Sequence, residues 1–358
     1  MLQNYKNDHY LCVEMERKDI TECSQEELKD FFIKNNVKPF RIKQLHNWLW
    51  KKGANSFDDM TTFSKELRIN LKKTYKINSV KISKQFKSSD GTIKYSLILF
   101  DGKLIEGVLI PSKKRVTACI SSQVGCSLDC SFCATGTLKL MRNLSSYEIF
   151  KQVNILNKES QKNYNRSLTN IVYMGMGEPL LNYKNVLRSI DNITSKDGMN
   201  MSAKRITVST AGLPKMIMKL ADDDIRFNLA VSLHSAIEET RSSIMSINKS
   251  NGLLDLKKSI KYFFKNTGKR VTYEYILFEK INDDIQSAKK LTEFCKISPC
   301  KVNIIEYNNV DQIRYIKSSS LKTKKFISFL EEKNIIVNLR RSRGKDIDAA
   351  CGQLVNKL

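Results

Sequence analysis

Three thiols within eight residues, Cys126-Ser-Leu-Asp-Cys130-Ser-Phe-Cys133, carry the clearest chemistry in this sequence. A structural zinc site wants four protein ligands, and an iron–sulfur cluster is held by thiolates, usually four of them. Three thiolates on a four-iron cluster would leave one iron open to a ligand that is not protein. A loop of this spacing can wrap one side of such a cube, with Phe132 and Ala134 shielding it from water. Two plainer readings compete: a zinc knuckle borrowing Cys119 as fourth ligand, and three unrelated cysteines.

Other chemistry-bearing residues fall at regular places. Apolar, β-branched runs at 116–120, 168–174, 205–209, 227–233, 271–277 and 301–305 alternate with helical stretches at 147–156, 183–192, 254–264 and 288–295. That alternation predicts an α/β fold with six β/α repeats and a parallel sheet. The cysteine loop, Gly175-Met-Gly-Glu178-Pro179, Ser209-Thr210-Ala-Gly212, Ser232-Leu-His234 and Asn308 all follow strand C-termini. β/α barrels build their active sites along that edge. The expectation is a partial (β/α)6 barrel, its lateral opening suited to a macromolecular substrate.

Ser24-Gln-Glu-Glu27 matches a capping box, with Leu28, Phe31 and Phe32 following at helical spacing. Helical patterns then run over 41–52, ending at Gly53, and over 57–75. Lys43, Lys51 and Lys52 make this module basic, a plain cap or a grip on a phosphate backbone. Asp101-Gly102 between apolar runs predicts a hairpin, and Glu106 on its second strand reads as solvated. A cationic stretch is densest at Leu339-Arg-Arg-Ser-Arg-Gly-Lys345 and leads to Cys351-Gly352, expected on a mobile, exposed loop. Expected divisions are a basic helical, RNA-contacting domain over 1–80, a hairpin linker over 81–111, the barrel over 112–340 and a C-terminal segment over 341–358.

Of 358 residues 41% are hydrophobic, which suits a globular core, and no apolar run is long enough to span a bilayer. No basic segment followed by an apolar stretch opens the chain, so no secretory signal is expected. Nine cysteines, an odd number, argue for thiols kept for metal or catalysis in a reducing cytoplasm; Cys12 and Cys23 read as incidental. Lys and Arg number 61 against 37 Asp and Glu, a formal charge of +24. That excess points to nucleic acid, with a general lysine-rich bias as the competing cause.

Three longer motifs together resemble one family. Ser121-Ser-Gln-Val-Gly-Cys126, Met174-Gly-Met-Gly-Glu-Pro-Leu-Leu-Asn182 and Asp346-Ile-Asp-Ala-Ala-Cys-Gly-Gln-Leu354 look like signatures of the bacterial radical S-adenosylmethionine (SAM) adenine-C2 methyltransferases. These act on 23S rRNA and, in some members, on tRNA. The resemblance runs from about residue 40 to 354 and implies a radical-SAM barrel holding a [4Fe-4S] cluster through Cys126, Cys130 and Cys133. Two SAM molecules are used per turnover, with a flavodoxin or ferredoxin as electron donor, by a monomeric enzyme. In the family a first SAM methylates a cysteine, matched here by Cys351. A second is cleaved to a 5′-deoxyadenosyl radical that takes hydrogen from that methyl. The resulting methylene radical adds to carbon 2 of adenine and tethers RNA to protein. A thiol matched by Cys119 then frees the base and leaves a disulfide, and Glu106 matches the proton acceptor. Carbon 2 is a poor nucleophile, so a route carried by the cofactor is chemically sensible.

SAM-binding positions transfer as Gly177, Glu178, Ser209, Ser232, Leu233, His234 and Asn308. Glu178 suits the SAM ammonium, and Ser and Asn suit its ribose and carboxylate. Arg341, Arg343 and Lys345 are expected to favour the Cys351 thiolate and to meet phosphates. Lys139-Leu140-Met141 stands where many relatives have Gly-Phe, and Asn309-Val-Asp-Gln312 where they have a proline-rich loop. Two other functions remain open: methylation at carbon 8, as in an antibiotic-resistance sister enzyme, and a zinc-stabilised RNA-binding protein without catalysis. Val124 before Gly125, and Glu178-Pro179-Leu180, favour carbon 2.

Overall fold

Ser24 accepts the N–H of Glu27, and the Glu27 carboxylate accepts the N–H of Ser24 in return. This reciprocal cap starts α1 (Gln25–Lys34) in the computed structural model, which describes residues 17–310, 313 and 315–356. Cys12, Asp311 and Gln312 lie outside the described residues. The chain forms two units, one ending at Asn78 and the other running Ser79–Leu358.

In the first unit α1, α2 (Phe40–Asn47) and α3 (Lys65–Thr74) bury Phe32, Leu45, Leu67 and Leu71 around Leu49 and Met60. The helix expected over 41–52 is α-helical to Asn47 and then widens into a π turn, Trp48–Lys52. The helix expected over 57–75 starts only at Lys65. A 3-10 turn, Phe57–Asp59, is closed by the Asp59 carboxylate, and Ser64 caps the chain afresh. Lys43, Lys51 and Lys52 are exposed, and the Lys52 ammonium lies 3.6 Å from the Trp48 ring centre.

The second unit is built on one ten-stranded sheet whose spatial order follows the chain. β1 (Val80–Lys87), β2 (Ile93–Leu99), β3 (Leu104–Pro111) and β4 (Val116–Cys119) are antiparallel. From β4 onward every pairing is parallel: β5 (Asn170–Tyr173), β6 (Ile206–Thr210), β7 (Asn228–Ser232), β8 (Val271–Leu277), β9 (Cys300–Glu306) and β10 (Val337–Arg340). The hairpin region is therefore an extension of the barrel sheet. The six expected parallel strands are present, and β10 adds a seventh. Its apolar run is short and embedded in cationic sequence, so pattern alone hides it.

Crossover helices separate the parallel strands, as right-handed β/α connections require: α4 (Ser146–Tyr164), α5 (Tyr183–Thr194), α6 (Pro214–Asp222), α7 (Glu238–Ile244), α8 (Leu253–Thr267), α9 (Ile285–Cys295) and α10 (Ser320–Glu332). Alternation along the hairpin explains why Glu106 is buried, contrary to the solvated strand face expected. Tyr95 and Gly107 face α4, where the Tyr95 hydroxyl donates to Glu159 and Leu156 lies against Gly107. Lys94, Ser96 and Glu106 share the other face, which the C-terminal segment covers. No helix among the described residues is long and apolar enough to cross a membrane.

Candidate active site

The cysteine loop follows β4 and is pinned at the opposite wall of the barrel. Cys130 bridges to Met245, and Ser131 gives its N–H and its hydroxyl to the Ile244 carbonyl at 3.1 Å each. Phe132 meets His234 edge-on, 4.8 Å between ring centres, and packs on Phe278. Cys126, Cys130 and Cys133 pack on the apolar cluster these contacts complete, with Leu128, Met245 and Ile276. The atypical Lys139–Met141 segment still holds the loop: Met141 donates its N–H to Val124 at 2.9 Å. Arg142 then forks onto Glu148 with two bonds of 2.8 Å.

Burial pushes the Cys126 thiol up to about 11 and raises Cys130 and Cys133 as well. Thiols so placed give up their protons when a metal replaces them. Among the described residues no three His, Cys, Asp or Glu side chains converge as around one ion. The three thiols instead border a shared cavity. Three thiols at one cavity fit a cluster that needs three protein ligands, whereas a structural zinc site wants four.

The same cavity is lined by Gly177, Glu178, Ser209, Ser232 and His234 from the ends of β5, β6 and β7. Gly177 has φ +93°, and a Cβ there would lie 2.4 Å from that of Gln123, so only glycine fits. The turn is fixed because Gln123 Oε1 accepts the Glu178 N–H at 2.8 Å. Glu178 accepts the N–H groups of Leu180 and Ala211, yet burial still raises its carboxyl to about 7. A buried acid poised there is a natural partner for an ammonium group. His234 takes a left-handed backbone, φ +53°, and its Nδ1 accepts the Ile276 N–H at 3.1 Å. Burial drives its pKa down to about 3, so the imidazole is neutral with its proton on Nε2.

Leu233 and Asn308 do not line that cavity. Leu233 is fully buried and gives its N–H to the Glu274 carbonyl. Asn308 is buried, with its Oδ1 lacking any hydrogen-bond partner.

Cys119 and Cys351 meet at a second cavity of about 230 Å³, which Cys133 also borders. Burial pushes the Cys119 thiol up to about 12, Cys351 adds to the rise, and the Arg340 guanidinium opposes it. Arg340 lines both cavities and is held by Glu274 at 2.9 Å; neither residue was expected from sequence. A glutamate in the apolar run Val271-Thr-Tyr-Glu-Tyr-Ile-Leu277 was the available signal. The cations expected to serve Cys351 divide differently. Lys345 is 3.1 Å from Glu306, while Arg341 and Arg343 both line the cavity, Arg343 also lying 3.9 Å from Asp90. The Cys351 loop is half-buried and tied down rather than mobile and exposed. Gly352, at φ +83°, accepts the Ala134 N–H at 2.7 Å, and Thr135 donates to Leu354 at 2.6 Å. Glu106 borders neither cavity; its Oε2 accepts the Val355 N–H at 2.9 Å.

Residues 18–77 match the family model for the ribosomal RNA large subunit methyltransferase N-terminal domain, and residues 120–291 match the radical SAM superfamily. The chain is 52% identical over 345 residues to a probable dual-specificity RNA methyltransferase RlmN of Flavobacterium johnsoniae, covering 96% of this chain and 99% of that protein. It is 40% identical to the dual-specificity RNA methyltransferase RlmN of Geotalea uraniireducens, covering 96% and 98%. A crystal structure of a radical SAM methyltransferase from Sphaerobacter thermophilus superposes with a TM-score of 0.88 at 36% identity, covering 94% of this chain and 99% of that one.

Proposed function

The chain belongs to the RlmN family of dual-specificity RNA methyltransferases, and from that membership we propose that it methylates carbon 2 of adenosine in 23S rRNA and in tRNA. One observation carries the reading: two thiols outside the cysteine loop, Cys119 and Cys351, border one cavity that reaches Cys133. A [4Fe-4S] cluster and SAM supply the radical chemistry when bound.

Cys126, Cys130 and Cys133 would hold the cluster, and Phe132 keeps water from it. Glu178 would take the SAM ammonium, with Ser209 and Ser232 answering its remaining polar groups; Asn308 is matched to this task by resemblance alone. Neutral His234 offers its Nε2 proton without adding a charge beside a sulfonium. Cys351 carries the methyl carbon to the base and joins RNA to protein as a thioether. Once carbon 2 has lost its proton, Cys119 attacks the Cys351 sulfur and the sulfur–methylene bond breaks. Its electron pair goes to the methylene carbon, which takes a proton to become the methyl group, and a Cys119–Cys351 disulfide forms. Arg340 favours the thiolate that attack requires. The resemblance makes Glu106 the acceptor of the carbon-2 proton, though it borders neither cavity here, and a flavodoxin or ferredoxin the electron donor.

Modification mapping of rRNA and tRNA from cells with and without this gene tests the reading. A gene-dependent 2-methyladenosine in both RNAs is expected. An 8-methyl product would assign the chain to the carbon-8 reaction, and no gene-dependent mark in either RNA would overturn the proposal.

A further inference from the structure

The C-terminal segment is attached to the hairpin at both ends of the loop that carries Cys351. Upstream, Asp346 accepts the Ser88 hydroxyl at 2.6 Å and the Ser89 N–H at 3.0 Å, while Asp90 accepts the Gly344 N–H. Closer to the thiol, Lys94 Nζ donates to the Asp348 carbonyl at 3.2 Å. Downstream, Glu106 accepts the Val355 N–H. Lys94 and Glu106 are themselves paired at 3.4 Å, with side chains 6% and 1% exposed. They are diagonal neighbours across β2 and β3, since Ser96 pairs with Glu106 and Lys94 with Val108. One buried ion pair therefore grips the loop three residues before Cys351 and four residues after it.

Burying a lysine and a glutamate on a sheet face is costly unless each is paired and its remaining valences are used. Here the spare valences go to the tail backbone. The Phe86 ring, 5.5 Å from the ammonium, also lies against Lys94. Asp348 holds a left-handed backbone, φ +51°, and the Lys94 bond to its carbonyl is one contact that fixes it. The middle of the loop is held separately: Gly352 and Leu354 reach back to Ala134 and Thr135 beside the cysteine loop, and Gln353 donates to the Asn309 carbonyl at 2.9 Å. Lys94 and Glu106 take its two ends, with Asn356 donating to the Leu104 carbonyl beyond them.

We propose that Lys94 is a positioning residue for the Cys351 thiol, acting with Glu106 as a buried latch on the two ends of its loop. This rests on the reading of Cys351 as the methyl carrier. It gives Glu106 a mechanical duty besides the proton transfer assigned by resemblance. A tail held in this way keeps the thiol at the cavity shared with Cys119 and Cys133.

Hydrogen exchange on the cluster-loaded protein, without RNA or SAM, tests the latch independently of any methylation. Lys94→Met leaves Glu106 buried and unpaired, so the double variant K94M/E106Q accompanies it as the version without a stranded charge. In both, amides of residues 345–356 are expected to exchange at least tenfold faster, while those of β6, β7 and β8 keep wild-type rates. Methylation of Cys351, read as the mass of its peptide after incubation with SAM, is expected to fall at least tenfold with iron content unchanged. Lys94→Arg should recover part of both readouts. Wild-type tail exchange in K94M/E106Q overturns the latch, and so does faster exchange spread evenly over the sheet. Faster tail exchange with an unmethylated Cys351 in the wild type would keep the latch and overturn the role given to that thiol.

Discussion

Ala134 donates its backbone N–H to the Gly352 carbonyl at 2.7 Å, so the residue after the last cluster cysteine is bonded to the residue after the tail thiol. The cysteine loop and the Cys351 loop thus share a backbone contact. This makes the separate roles of the thiols experimentally separable.

Cys119→Ala and Cys351→Ala should accumulate different species. Without Cys351 nothing receives the methyl group, and no RNA becomes linked. Without Cys119 the thioether is expected to persist, because the other thiol bordering the cavity, Cys133, would be held by the cluster. Denaturing gels of protein purified with cellular RNA should show a nuclease-sensitive, slow band for Cys119→Ala only. The same band from Cys351→Ala would reverse the assignment.

Replacing Cys126, Cys130 or Cys133 by Ala removes one of three protein ligands and should leave the cluster labile. Iron content after anaerobic reconstitution should drop to less than half of wild type, with 5′-deoxyadenosine formation lost. Full iron loading with SAM cleavage in any one variant would contradict the cluster assignment.

The raised Glu178 carboxyl gives SAM binding a defined pH dependence. In the free site the group ionises near 7, and pairing with the SAM ammonium favours the carboxylate. The proton must therefore leave on binding below that pH. Affinity should rise about tenfold per pH unit as pH climbs toward 7 and then level off. Calorimetry in two buffers of different ionisation heat should show proton release at pH 6 and little at pH 8.5. Glu178→Gln should bind more weakly with a flat profile; a sloping profile in that variant would place the proton elsewhere.

Lys43, Lys51 and Lys52 are exposed on the N-terminal unit. If each meets a phosphate, replacing all three by Gln weakens RNA binding and lowers the slope of log K against log salt by about 2 to 3. Unchanged affinity and slope would make these helices a plain cap.

Much of the site could be read from the chain because its residues sit where motif and strand end coincide. Cys126, Cys130, Cys133, Gly177, Glu178, Ser209, Ser232 and His234 all lie in or just after the C-terminal ends of strands, and the structure brings them to one cavity. What sequence hid was contact across long separations. Arg340 belongs to a cationic run and stands apart only because β10 pairs Arg340 with Ile305 in register. Glu106 looked solvated because alternation along one strand cannot reveal that a segment some 250 residues later covers that face. The tail looked mobile for the same reason, since its anchors Ser88, Lys94 and Glu106 lie in another part of the chain.

The sheet's spatial order, identical to its order in sequence, sets a timetable for synthesis. Each strand leaving the ribosome can add to the edge already formed, and the cysteine loop is complete while more than half the chain is still unmade. Residues 344–356 must then return to the first strands, bridging Ser88 to Asp346 and Glu106 to Val355. Cys351 therefore reaches its place only after the rest of the sheet exists to receive it. A chain interrupted before residue 344 can form the cysteine loop yet lacks the segment that brings Cys351 to the cavity beside Cys119.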